Sequence, residues 1–226
     1  CKYELDFDMQ KRFELIKAKL LAYTHSHAEV LAIYHNKIST PSKYASAAAN
    51  FFSGDANKSI DIIKSLIEDF PSNPYYHEIL GEIYYTLGNF QLAVLEQKKT
   101  MELLVNENDL HLMMLGSYLL AESSDKSITE SIKVLNKSLF LNRTNSYSWY
   151  LLAKAYALND SLALAQYASA ERYYLRRDRA LALSFAKKAI KNIDKDTVEW
   201  YRTNDLIQLI VGIEEKDNKN RSVETE

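Results

Sequence analysis

The sequence predicts an all-α fold built from stacked helix pairs, and three observations predict it. Only 5 Gly and 3 Pro occur among 226 residues, too few for the many tight turns of a sheet-rich fold. Apolar residues make up 47% and charged residues 26% of the chain, enough to fill a substantial core. Small residues recur at a nearly fixed interval. Ala47, Gly81, Gly116 and Ala153 are spaced by 34, 35 and 37, while Ser59, Ala93, Ser131 and Ala165 are spaced by 34, 38 and 34.

That interval is the period of tetratricopeptide arrays, in which each repeat of about 34 residues is a helix, a turn and a second helix. The predicted fold is therefore a tetratricopeptide-type right-handed α-solenoid of about four repeats with flanking helices, about ten to twelve helices in all. The copy from Pro74 to about Glu107 is the clearest. Leu80, Gly81 and Tyr84 put a large, a small and an aromatic residue on one face of its first helix. Gly88-Asn89-Phe90 marks its turn, and Ala93 lets the second helix approach closely. The first copy offers Gly54-Asp55 at its turn, Ser59 at the small site and Pro71 beyond its second helix; the fourth offers Trp149, Leu152-Ala153, Tyr156 and Ala165. The third departs most: the run Ser123 to Ser127 reads as an insertion that lengthens its turn, and Ser131 stands where alanine is usual.

Around the repeats, Phe13, Ile16, Leu20 and Tyr23 recur at helical spacing and mark a helix from about Leu5 to Tyr23, so residues 1–38 are expected to be N-terminal linker helices. Residues 39–213 form the repeat domain. Its spacing breaks after the fourth copy, where Ala182, Ala186 and Ala189 mark a further amphipathic helix behind Arg176-Arg177-Asp178. Trp200 to Ile213 reads as a helix that caps the apolar end of the stack. Residues 214–226 hold Val223 as their only apolar side chain and are expected to be disordered.

A net charge of −2, from 28 basic and 30 acidic residues, gives no general pull toward nucleic acid. No run of about 18 apolar residues is present to span a membrane, and no charged-then-apolar leader opens the sequence. Cys1 is the only cysteine, so no internal disulfide is available. The sequence starts without methionine. Cys1 reads as the point where a fragment of a longer protein begins, with a lipidated N-terminal cysteine that tethers the chain as the alternative.

Chemistry is sparse. His25, His27 and His35 have no cysteine or carboxylate at a metal-binding spacing. His77-Glu78 opens like the His-Glu-x-x-His zinc motif, but Gly81 stands where the second histidine belongs. There is no Gly-rich phosphate loop and no nucleophile elbow. No catalytic residue, no metal ligand and no cofactor is expected in this chain.

Sixteen tyrosines and eight phenylalanines must wedge between helices or line a surface. Counted from the start of each first helix, positions 2, 5, 9 and 12 fall on the face that tetratricopeptide arrays turn toward their groove. They are Tyr44 and Phe51 in the first repeat, Tyr75, Glu78, Glu82 and Tyr85 in the second. The third supplies Leu110, Met113, Ser117 and Leu120, and the fourth Tyr147, Tyr150, Lys154 and Ala157. The candidate binding residues are Tyr44, Phe51, Tyr75, Glu78, Glu82, Tyr85, Met113, Tyr147, Tyr150 and Lys154. Such a lining, aromatic and apolar with scattered carboxylates, suits an extended or unfolded polypeptide segment, because rigid repeats present tyrosine rings at low entropic cost. A clamp for C-terminal carboxylates would need Lys, Arg and Asn at these positions, where aromatics and carboxylates mostly stand. The competing reading buries some of these rings between repeats or beneath another domain.

The run Asn73-Pro74-Tyr75-Tyr76-His77-Glu78-Ile79-Leu80-Gly81, preceded by Gly54-Asp55 and Pro71, is similar to the C-terminal repeat domain of BepA-like periplasmic zinc metallopeptidases. Further matches follow in order: Lys17-Ala18-Lys19-Leu20, Lys43-Tyr44-Ala45, Leu152-Ala153-Lys154-Ala155-Tyr156, Ala168-Ser169-Ala170-Glu171 and Trp200-Tyr201-Arg202. The resemblance runs from Arg12 to about Ile210. It implies a separate N-terminal protease domain that carries the zinc site, so zinc is expected only there and not in this chain. It also implies a non-catalytic client-recognition or chaperone module in the periplasm, acting in outer-membrane protein quality control. Its partners would be polypeptide clients or an assembly complex, together with its own protease domain. The alternative is a free-standing repeat lipoprotein that scaffolds envelope assembly.

Overall fold

In the computed structural model the described residues are 7–34 and 39–223, and they form twelve helices with no strand. Cys1, Leu5, His35 and the last three residues of the expected tail lie outside them. The chain divides into two compact units, Cys1–Asn106 and Glu107–Glu226. The first holds α1 (Phe7–Thr24), α2 (His27–Ile33), α3 (Thr40–Phe52), α4 (Ala56–Asp69), α5 (Pro74–Thr86) and α6 (Phe90–Leu103). The second holds α7 (Asp109–Glu122), α8 (Asp125–Leu141), α9 (Ser146–Leu158), α10 (Leu162–Leu175), α11 (Arg179–Ala189) and α12 (Val198–Val223). The division falls after the second repeat of the expected block 39–213. Helix α1 buries Leu15, Ala18 and Ala22 in the first unit.

The starts of the first helices repeat as regularly as the small residues. Ser39, Asn73, Asn108, Asn145 and Asp178 stand just before α3, α5, α7, α9 and α11. Each side-chain oxygen accepts from a backbone N–H two or three residues on, that of Ser42, Tyr75, His111, Tyr147 with Ser148, and Leu181 in turn. Such caps satisfy amide donors that the helix itself leaves orphaned. Because Asp178 keeps this series going and the buried Ala186 continues the first small-residue series, α11 and α12 form a fifth helix pair. The first-helix series therefore continues past the fourth repeat, and the break lies in the longer connection inside the fifth pair, residues 190–197. Helix α12 also runs on for 26 residues to Val223, so the segment expected to be disordered from Glu214 is helical as far as it is described.

The third repeat is corrected in the opposite sense. Only Ser123 and Ser124 separate α7 from α8, and the extra residues lengthen α8 to 17 where α4, α6 and α10 have 14. Ser124 accepts from the Ser127 amide and caps α8, so a Ser-rich run that resembles a loop is a helix start. Serine suits both roles for one reason, its hydroxyl hydrogen-bonds nearby backbone. At the turns inside the repeats the backbone goes left-handed. Gly54 (φ 95°) and Gly88 (φ 77°) do this in the first unit, whereas Ser123 (φ 57°) and Asp160 (φ 54°) do it in the second.

Packing explains why the periodic sites are small. Ser59 lies wholly buried against α3 and donates its hydroxyl to the Ala47 carbonyl at 2.8 Å. At Gly116 a Cβ would fall 2.6 Å from Leu135 Cγ and Cδ2, so α7 and α8 touch through the bare backbone. The core of the first unit gathers Tyr44, Ile63, Leu66, Tyr76, Ile79 and Ile83; that of the second gathers Leu135, Trp149, Leu152, Tyr167 and Ala168.

Candidate binding faces

In the first unit the expected groove residues are largely taken. Tyr44 is 1% exposed, with its ring 5.7 Å from that of Tyr76, so it belongs to the core and not to a lining. Burial, reinforced by Glu78 and Glu82, pushes its hydroxyl pKa well above the usual tyrosine value. Glu78 and Glu82 lie one turn apart on α5, and Lys19 of α1 reaches between them, with Nζ 2.8 Å from one carboxylate and 2.7 Å from the other. Burial pulls the Lys19 ammonium down, but the two carboxylates outweigh it and hold the pKa at about 12, above the usual 10.5. Tyr75 is half-buried and flanks a cleft of about 340 Å³ between α1 and α5, shared with Leu15, Ile16, Leu20 and Tyr23. Phe51 is half-buried against Phe52, and Tyr85, 37% exposed, lies 5.7 Å from the ring of Phe90. Helix α1 therefore lies where the sequence expects a ligand.

The second unit keeps the equivalent face open, with two inward exceptions. Leu120 is buried, and Met113 packs against the core with its sulfur 3.5 Å from Asn145 Nδ2. Tyr147 is 51% exposed and Tyr150 39%, and their rings lie 5.7 Å apart. Asn145 anchors both by capping α9, while the Arg172 guanidinium of α10 lies 4.5 Å over the Tyr150 ring and braces it by cation–π attraction. Lys154, two turns after Tyr147, is exposed. The spacing of the cap residues, Asn145 to Asp178, carries Lys154 onto Lys187, which is likewise exposed on α11. Sequence reasoning missed Arg172 because it counted only first-helix positions and Arg172 stands on α10, and it missed Lys187 because it counted no repeat after the fourth, although the helix-capping Asp178 was there to extend the series.

His77 has a structural role. His77 Nδ1 lies 2.7 Å from Glu96 and its Nε2 3.3 Å from the Pro71 carbonyl, which ties α5 to α6 and to the loop before it. Among the described residues no group of three or more His, Cys, Asp or Glu side chains is placed to hold a metal. No helix there is long and apolar enough to cross a membrane.

No family model and no curated protein matches the chain. Solved structures do. The chain is similar to MamA AMB-1 (TM-score 0.61, 16% identity, 73% of this chain and 98% of that one). It is similar to MamA MSR-1 (0.60, 18%, 75% and 98%). It is similar, too, to MamA from residue 41 to its end from Desulfovibrio magneticus RS-1 (0.54, 17%, 75% and 92%). The fold is a tetratricopeptide-type α-solenoid. At these identities the likeness is one of fold, and function has to come from the faces themselves.

Proposed function

We propose that this chain is a protein-interaction repeat module that binds an extended polypeptide segment on the first-helix face of its second unit. One observation carries the reading: Tyr147 and Tyr150 are held exposed, side by side, on a capped helix, with Arg172 bracing one ring. Large rings fixed in place before binding offer contact area without a further ordering cost. In the first unit the same face is covered by α1, so the second unit is the site open to a partner.

The finer reading follows the resemblance. The module recognises unfolded clients for a periplasmic zinc metallopeptidase of outer-membrane quality control, and the zinc and the catalytic residues belong to that protease domain and not to this chain. The ordered series of short matches from Arg12 to about Ile210 supports it. Replacing Tyr147 and Tyr150 together by alanine in the full chain, and titrating it with a urea-unfolded outer-membrane barrel protein diluted into buffer, tests both levels. Binding by the parent chain that the double variant loses, at unchanged helicity, is the expected result. Binding untouched by the double change overturns the site. Equal binding of any unfolded protein overturns the outer-membrane assignment and leaves the module reading in place.

A further inference from the structure

We propose that the open face of the second unit selects acidic polypeptide segments that carry an aromatic side chain. The inference rests on the reading of that face as a peptide site and adds what the site discriminates.

Charge is unevenly spread over a nearly neutral chain. Between residues 143 and 195 stand ten Lys and Arg against four Asp and Glu, although the whole chain nets −2. Two of those four acids are already engaged. Glu171 is buried and held by Arg143, and Asp178 caps α11. Burial raises the Glu171 pKa even with Arg143 beside it, so that carboxylate is shielded from the surface.

The basic groups lie where the rings are. Lys154 follows Tyr147 and Tyr150 on the face of α9, and Lys187 occupies the equivalent position on α11, the next first helix. Both are exposed, and neither is paired with a carboxylate among the described residues. The two lysines hold equivalent positions on first helices of one unit, so both add positive charge to the face that carries the rings. An acidic segment laid along that face meets like-signed groups whose attraction is screened over about 8 Å at physiological salt. Glu82 holds the same position on α5 in the first unit, and it already pairs with Lys19. Uncompensated cations beside open aromatic rings fit a partner with carboxylates spaced around an aromatic or apolar residue. Nucleic acid shares the negative charge but not the match. Two lysines on separate helices stand here, where nucleic acid would need a backbone-tracking groove with a row of phosphate contacts.

The test uses the full chain and fluorescein-labelled peptides of about twelve residues, each with the same two tyrosines and with the remaining positions acidic, neutral or basic. Anisotropy is read at low and at physiological salt. The acidic peptide is expected to bind about tenfold more tightly than the neutral one, with the gap narrowing as salt rises. Lys154→Glu and Lys187→Glu, both at exposed sites, are each expected to weaken the acidic peptide about tenfold. The double reversal is expected to turn the preference toward the basic peptide. Equal binding of acidic and neutral peptides overturns the charge selectivity while the peptide site stands. Binding of none of the three overturns both. A single-stranded oligonucleotide of equal charge that displaces the acidic peptide at the same concentration overturns the commitment to a protein partner.

Discussion

The two units carry the same repeat and use its exposed face in opposite ways. In the first, positions 5 and 9 of α5 are Glu78 and Glu82, and they receive Lys19 from α1. In the second, the matching positions of α9 are Tyr150 and Lys154, and they stay exposed. The buried residues that set helix spacing are alike in both: Ala47, Ser59, Ala93, Gly116, Ser131 and Ala165 are all small, and all are buried. The contrast teaches that in such an array the interior positions specify the backbone, and the face positions are free to close one half and open the other.

The comparison breaks most visibly at tyrosines that the repeat count treats alike. Tyr44→Ala empties a fully buried site of the first unit and is expected to cost about 3 kcal/mol or more, as large-to-small core changes do. Urea unfolding followed by circular dichroism reads it, and a loss below about 1 kcal/mol would return Tyr44 to the surface. Next in size is Gly116→Ala. Its methyl must displace Leu135, which has no exposed surface, so about 2 kcal/mol is expected to be lost. Leu135→Ala in the same chain is expected to relieve part of that clash, giving a coupling energy in a double-mutant cycle; strict additivity would remove Gly116 from the helix crossing.

Lys19→Met sharpens the contrast from the covered side. Both carboxylates are then left without their cation in a largely buried setting, at an expected loss of roughly 1–2 kcal/mol. The pH dependence has a definite sign. The folded Lys19 pKa of about 12 lies above the unfolded 10.5, so its contribution is complete below pH 10.5 and disappears as pH rises through about 12. Tyr76, raised by burial to about 12 from 10.0, adds a loss over the same alkaline range. Stability of the parent chain is therefore expected to fall between about pH 10 and 12, and less steeply in Lys19→Met. Parallel slopes in the two chains would remove Lys19 from the ion-pair cluster.

The smallest effect is expected at Tyr147→Ala, half-exposed on the open face, where stability should move by no more than about 0.5 kcal/mol. Both tryptophans, Trp149 and Trp200, lie in the second unit, so their fluorescence reports on that unit directly during unfolding. A large shift at Tyr147 would make its ring a packing element and remove the principal lining of the proposed site.

The fold was legible because its signals are local and repeated. A small residue at a helix crossing acts within one helix pair, a polar cap acts within one turn, and the period emerges from the sequence without knowledge of the rest of the chain. The Ser123 to Ser127 run was misread because cap residues and loop residues are chemically the same. The α12 segment beyond Ile213 was misread because a polar composition alone does not end a helix. The face residues were legible only as positions. The sequence by itself determined that Tyr44, Glu78, Glu82, Tyr147, Tyr150 and Lys154 lie on first helices of tetratricopeptide repeats. Only the tertiary structure decided that Tyr44 is core, that Glu78 and Glu82 belong to Lys19, and that Tyr150 is braced by Arg172. The physical reason is that repeat position follows from hydrogen bonds and packing within about 34 residues, whereas exposure depends on whichever distant segment lies across the face. In this chain that segment is α1, about 60 residues away in sequence from the carboxylates it covers.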